Sequence, residues 1–233
     1  GWAGTKEVCS EGGCGACTVI LSHWDEGKKR PIHRSTASCL IPMASVHRKN
    51  ITTVEGLSKL TENDTHPICE AFRELGATQC GFCTPGFIMT LEARLNAEEE
   101  LSKKDLERLY DGNLCRCTGY RPILDAASVF CKDPLEGEPR VTQWREDYQR
   151  TKRLDEIFPE EYRKPAQSHE IRGRRTNWHL PVGIDEAIRL ETQYVSGNTD
   201  VGYLEKYALQ HPDRKTLLEG VSELKGISDQ SDS

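Results

Sequence analysis

Apolar and polar positions change rhythm along the chain, and the changes divide it into four stretches. From residue 1 to about 57 the pattern is that of strands: TVILSHW (18–24) is β-branched and apolar, DEGKKRP (25–31) has the composition of a turn, and ITTVEGL (51–57) is a second strand candidate. Strands are few here. From about 65 to 131 the period becomes helical. Pro67 and Pro85 suit first-turn positions, and Thr84 is a candidate cap for a helix carrying Phe87, Ile88, Leu91 and Leu95 on one face. Ser102 with Asp105 forms a capping-box pattern before Leu106, Leu109 and Tyr110, and Gly112 fits a stop. Pro122 opens a last helix with Ile123, Leu124, Ala127 and Phe130. Four short helices predict a small bundle.

From Lys132 to Arg175 the sequence turns charged and proline-containing without a sustained apolar period, and reads as a linker. Pattern returns in TNWHLPVGIDEAIRL (176–190), where Asp185 can cap a short helix, and in YVSGNT (194–199), a strand entering a glycine turn. The last residues, GISDQSDS, are polar and read as frayed. No internal repeat of fixed period is visible.

Composition narrows the function classes. The 233 residues are 36% hydrophobic with a net charge of -6, and the mean hydropathy is -0.64 with pI ≈ 5.7. That balance offers no long-range attraction to nucleic acid or anionic lipid, so neither is expected as a partner. No window reaches the roughly 18 apolar residues of a membrane span, and GWAGTKEVC lacks the order of a secretory signal. The expectation is a soluble intracellular protein, cytoplasmic with the peroxisome as the alternative. Ten cysteines in 233 residues are many for such a protein, yet below the roughly 8–10% of disulfide scaffolds. In a reducing compartment clustered cysteines more often bind metal than one another.

The cysteines fall into two quartets. Cys9, Cys14, Cys17 and Cys39 have the spacing C-x4-C-x2-C-x21-C, and C-x4-C-x2-C with a distant fourth cysteine is the plant-type ferredoxin arrangement for a [2Fe-2S] cluster. Three thiolates converging on one small cluster require a backbone that wraps closely, which Gly12, Gly13 and Gly15 permit. Such a loop turns N–H groups toward the sulfurs. The second quartet is Cys80-x2-Cys83 and, after 31 residues, Cys115-x-Cys117, both pairs next to helix ends. Four thiolates here also suit zinc, although zinc ribbons generally use C-x2-C twice. Cys69 and Cys131 complete no quartet and read as small buried helix residues. His23, His33, His47 and His66 lack ligand spacing and read as surface or satisfied core residues; no Ser/His/Asp or Cys/His catalytic arrangement is evident.

The segments EGGCGACTV, TTVEG, QCGFCTPGF and GNLCRCTGYRPIL, in this order and spacing, resemble the N-terminal iron-sulfur region of the molybdenum hydroxylases, the xanthine dehydrogenase and aldehyde oxidase family. The resemblance covers residues 1 to about 131. A shorter one, WHLPVGIDEAIRL followed by VSGNTDVG, is to the opening of that family's FAD domain. The resemblance implies an α+β chain: a plant-type [2Fe-2S] ferredoxin-like β-grasp domain at 1–60 lacking its first strands, and a four-helix [2Fe-2S]-binding domain at 61–131. A charged linker at 132–175 and a partial FAD-binding domain at 176–233 follow. It further implies that single electrons pass from a molybdopterin centre through two [2Fe-2S] clusters to FAD. Cys9, Cys14, Cys17 and Cys39 would hold the cluster nearer FAD, and Cys80, Cys83, Cys115 and Cys117 the cluster nearer molybdenum. Gln79 and Cys117 match positions that approach the pterin. Val195, Ser196, Gly197, Asn198, Thr199, Asp200 and Val201 match the FAD phosphate-binding turn. The implied partners are molybdenum-cofactor and complete FAD domains of a longer enzyme, and a second copy in a homodimer. Substrate and final acceptor are not written in these residues. The expectation is an oxidoreductase segment that does not hydroxylate a substrate by itself. A stand-alone iron-sulfur carrier subunit and a truncated, zinc-bound or non-functional product are the alternatives.

Overall fold

The structure is a computed structural model that describes residues 3–62, 65–97, 100–174, 176–197, 201–202 and 212–224. It is of mixed α+β character, and the chain divides into two compact units, residues 1–39 with 48–163 and residues 40–47 with 164–233.

The first unit opens with the cysteine-rich loop and a three-stranded antiparallel sheet of order β2-β1-β3, from β1 (Thr18–Asp25), β2 (Arg30–Ala37) and β3 (Asn50–Thr52). β1 pairs β2 from Thr18↔Ala37 to Asp25↔Arg30, and β3 at Ile20↔Thr52. A central strand is covered on both faces, which is why Thr18 to Ser22 are all buried instead of alternating. β2 lies in a stretch that carries no strand signal of its own, because more than half its side chains are polar. ITTVEGL proves mixed: the strand ends at Thr52 and Val54–Leu60 wind into a 3-10 helix that buries Leu57 and Leu60.

Helices follow: α1 (Pro67–Glu74), α2 (Thr84–Leu95), α3 (Lys103–Leu109) and α4 (Arg121–Ser128). The proline of α1, α2 and α4 falls in the first turn of each. The capping box of Ser102 and Asp105 forms at the start of α3. The cap of α2 sits one residue earlier than the sequence suggests, at Cys83, with Thr84 already helical. α2 is buried nearly all round, from Gly86 to Ala93, because it packs against β1, β2 and α1.

One core runs through the whole first unit. Ile20, Leu57, Phe72, Phe87, Leu91 and Ile123 share it with Trp144, Tyr148 and Leu154. The last three lie in the stretch expected to be a linker. Residues 141–149 form α5 (Val141–Gln149), which packs on α1 and buries Val141, Trp144 and Tyr148. Three apolar residues spaced i, i+3 and i+7 suffice to dock a helix whose other positions are charged. Beyond α5, the Lys152 N–H donates to the Leu60 carbonyl at 2.8 Å, and Phe158 stacks with Trp24 of β1 at 6.3 Å. The charged stretch is therefore part of the first unit as far as Arg163, and departs from a linker there.

The second unit holds a mixed sheet of order β4-β5-β7-β6, from β4 (His169–Arg172), β5 (Asn177–Leu180), β6 (Gln193–Val195) and β7 (Arg214–Leu217). β4 and β5 are antiparallel, whereas β5 and β6 both run parallel to the β7 between them. α6 (Ile184–Arg189) joins β5 to β6, with Gly183 rather than Asp185 at its cap; Asp185 falls in the first turn, where its charge faces the positive end of the helix. Ala44, Val195 and Leu217 form the small core of this unit, with Trp178, Leu180 and Val201 against it.

Candidate metal centres

The first cage is made by backbone geometry. Ser10, Gly12 and Gly15 hold φ of 55°, 72° and 69°, left-handed values that glycine adopts without a Cβ penalty. The loop consequently points N–H groups at sulfur: the Glu11 N–H donates to Cys9 Sγ at 3.4 Å and the Gly12 N–H to Cys39 Sγ at 3.2 Å. Residues 9–17 and the far end of β2 meet because Cys17 and Cys39 flank the first β1–β2 pair, with the Ser38 N–H donating to the Cys17 carbonyl. The thiols associate as Cys9 with Cys14 and Cys17 with Cys39. The Glu11 N–H pulls the Cys9 thiol down to about 7, whereas burial and then the Cys17 thiol push Cys39 up to about 11.

The second cage joins the N-terminus of α2 to the loop between α3 and α4. Its thiols also associate in pairs, Cys80 with Cys117 and Cys83 with Cys115. Burial, then the Cys115 thiol, pushes Cys83 up to about 12. At Cys115 burial works upward, but the Thr118 hydroxyl, 3.2 Å from the sulfur, and the Thr118 N–H outweigh it and lower the thiol. Tyr120 contributes too: its left-handed backbone, φ 69°, brings the phenol oxygen to accept from the Cys115 N–H at 3.1 Å. Thr118 and Tyr120 were invisible to reasoning by cysteine spacing, although both sit in the TGY that follows Cys117. Cys115 is buried, Cys83 partly so, and Cys80 and Cys117 are exposed.

The donor set of the two cages suits a [2Fe-2S] cluster. Each quartet supplies four thiols, and a [2Fe-2S] cluster held by four cysteines presents two irons for two pairs of thiolates. The inward N–H groups are donors of the kind that stabilise sulfur ligands.

The remaining sequence-derived positions are scattered. Gln79 is exposed beside Cys80. Val195 is buried at the end of β6, Ser196 is exposed, and Gly197 turns with φ 71°. Val201 packs on the second-unit core, and Asn198, Thr199 and Asp200 lie outside the described residues. Cys69 is partly buried within α1 as expected, whereas Cys131 is fully buried but lies past the end of α4 and not in a helix. Of two buried histidines, one departs from expectation and one is the satisfied core residue expected. His66 is buried with neither ring nitrogen hydrogen-bonded, so it is not a satisfied core residue. His33 does lie between a serine and an aspartate, its Nδ1 2.8 Å from Ser22 Oγ and its Nε2 2.5 Å from Asp155 Oδ1. Ser22 is 1% exposed in the middle of β1, so this row closes the core and offers no nucleophile to a substrate.

Known proteins resemble this chain. The family model described as [2Fe-2S] binding domain matches residues 53–128. The chain is similar to a xanthine dehydrogenase of Drosophila subobscura, 35% identical over 88% of this chain and 18% of that protein. It is also similar to aldehyde oxidase 2 of Cavia porcellus, 34% identical over 87% of this chain and 18% of the other. Among solved structures it is similar to a chain of quinoline 2-oxidoreductase from Pseudomonas putida 86, 33% identical over 62% of this chain and 76% of that one, with a TM-score of 0.47. The chain thus spans about a fifth of the length of the curated relatives it matches.

Proposed function

Because the chain belongs to the xanthine dehydrogenase and aldehyde oxidase family of molybdenum hydroxylases, we propose that it is the electron-transfer segment of such an oxidoreductase, carrying single electrons between a molybdopterin centre and FAD. Cys9, Cys14, Cys17 and Cys39 hold one [2Fe-2S] cluster in a ferredoxin-like β-grasp fold, and Cys80, Cys83, Cys115 and Cys117 hold the other in a four-helix fold. A bound [2Fe-2S] cluster supplies a one-electron carrier that needs no proton.

The protein's own residues set the terms for that carriage. Glu11 and Gly12 aim N–H donors at the sulfurs of Cys9 and Cys39, and donors directed at thiolate stabilise the more negative, reduced state. Thr118 does the same at Cys115. Burial of Cys14, Cys17 and Cys115 keeps water from the sulfurs, while the exposed Cys80 and Cys117, with Gln79 beside them, offer an edge to a pterin on a neighbouring domain. The residues from 176 onward supply the start of the FAD domain, with the strand ending at Val195 and the turn at Ser196 and Gly197 as its phosphate-binding turn. Partner domains carry substrate choice, and a homodimer is part of the same reading.

The observation that carries the proposal is the two cysteine quartets with the N–H groups of Glu11, Gly12 and Thr118 aimed at the sulfurs of Cys9, Cys39 and Cys115. Iron and acid-labile sulfide are measured on protein purified without air, followed by EPR after dithionite reduction. About four irons and two distinct rhombic signals are expected. Zinc without iron would sink the reading.

A further inference from the structure

The two cages touch through backbone, and glycine makes the touch possible. The Leu114 N–H donates to the Cys14 carbonyl at 3.0 Å. Leu114 is the residue before Cys115, so one hydrogen bond joins the main chain of a first-cage cysteine to that of the residue directly preceding a second-cage cysteine. The neighbouring Gly15 carbonyl meets the first turn of α2 so closely that a Cβ on Gly86 would lie deep inside its van der Waals radius, and 3.3 Å from Asn113 Nδ2. A Cβ on Gly15 would lie 2.5 Å from both Asn113 Nδ2 and the Gly112 carbonyl. Asn113 fills the space left between these backbones. It is 5% exposed, its Nδ2 faces the Gly15 carbonyl at a long 3.5 Å, and its Oδ1 accepts from the Thr90 hydroxyl at 3.2 Å. Its own N–H donates to the Tyr110 carbonyl at 2.8 Å.

From this geometry we infer that Gly86, Asn113 and Leu114 are positioning residues: a clasp that fixes the spacing of the two cages and makes the Leu114-to-Cys14 hydrogen bond a main-chain bridge between them. The inference rests on the reading of the quartets as cluster ligands. Apart from that reading it states which residues set the distance. A buried helix with both cages merely attached would tolerate separation; the direct backbone contacts of Leu114 with Cys14 and of Gly86 with Gly15, with Asn113 filling the space beside them, do not, because packed interiors have no slack. The bridge is covalent from Cys14 Sγ to its carbonyl and again from the Leu114 nitrogen to Cys115 Sγ, with one hydrogen bond between.

Gly86→Ala is the sharpest test, since alanine inside a helix is otherwise favourable and a loss must come from the clash with Gly15. In the chain loaded with iron and fully reduced, the spin-spin splitting between the two EPR signals is expected to narrow in Gly86→Ala while iron per chain is unchanged. Amide hydrogen exchange at Leu114 is expected to accelerate about tenfold, the scale set by losing roughly one buried hydrogen bond, with Trp144 of α5 unchanged as control. Splitting and exchange equal to the parent would overturn the clasp. Thr90→Val, which removes the hydroxyl that orients Asn113 and touches neither cage loop, is expected to give the same changes in smaller degree, and decides the matter if Gly86→Ala does not fold. If the parent chain binds zinc or loads fewer than two clusters, the electron-transfer reading fails. Exchange at Leu114 in the same chain then still judges the clasp: faster in the variants supports it, equal overturns it.

Discussion

Lowering the pH from 7 to 5 is expected to destabilise the first unit through one residue, His66. The imidazole is 2% exposed at the start of α1, edge-on to Tyr148 at 5.8 Å, and its Nε2 is 3.9 Å from Glu92 Oε2, too far for a hydrogen bond. Burial lowers its pKa from 6.5 to about 4. An unfolded chain therefore protonates His66 below pH 6.5, whereas the folded chain resists until pH 4, so stability falls as the pH drops through that window. At about 1.36 kcal/mol per unit the full loss is about 3.4 kcal/mol, of which about 2 kcal/mol comes between pH 7 and 5. Other groups titrate in the same range, and a comparison with His66→Gln removes them. The variant lacks a titrating ring, and the parent side chain makes no capping hydrogen bond that would be lost. Urea midpoints followed by tryptophan fluorescence at both pH values, with Trp144 buried in the same unit, are expected to show the variant losing about 2 kcal/mol less than the parent. Equal losses in the two proteins would refute the argument that His66 is held neutral.

Glu92 behaves with the opposite sign. It is fully buried, which raises its carboxyl, even though the Tyr148 hydroxyl and the Asn96 amide bond to it at 3.0 and 2.7 Å. Its contribution is complete below the ordinary carboxylate range and is lost as pH rises through the raised folded value, so the stability of Glu92→Gln relative to the parent is expected to grow between pH 4 and 8, read from urea midpoints. Trp144→Ala removes a side chain 1% exposed that also carries the Arg140 guanidinium at 4.6 Å; thermal or urea unfolding is expected to show a loss of about 3–5 kcal/mol, whereas a linker residue would cost little. Cys115→Ser or Cys117→Ser is expected to weaken the helical-region EPR signal alone, and equal loss of both signals would contradict two independent quartets.

Chemistry was readable in one dimension and assembly was not. The spacing of Cys9, Cys14 and Cys17, with glycines between, is a local demand: a loop of that length must turn left-handed to bring its sulfurs together, and Gly12 and Gly15 do so. The prolines at helix starts, the Ser102–Asp105 box and the glycine turn after Val195 are equally local, and all formed. Residue type within a few positions decides such features. What tertiary structure alone decided are contacts between distant segments. β2 is a strand because β1 lies beside it; α5 belongs to the first core because Trp144 and Tyr148 meet residues far earlier in the chain, as in the pairing of Tyr148 with His66. His33 found Asp155 across 122 residues. The close approach of Gly86 to Gly15 has no sequence signature beyond the glycines themselves. Hydrophobic pattern and turn chemistry act over one or two turns of chain, whereas burial is a property of the whole packed unit, and it is burial that set the states of His66 and Glu92.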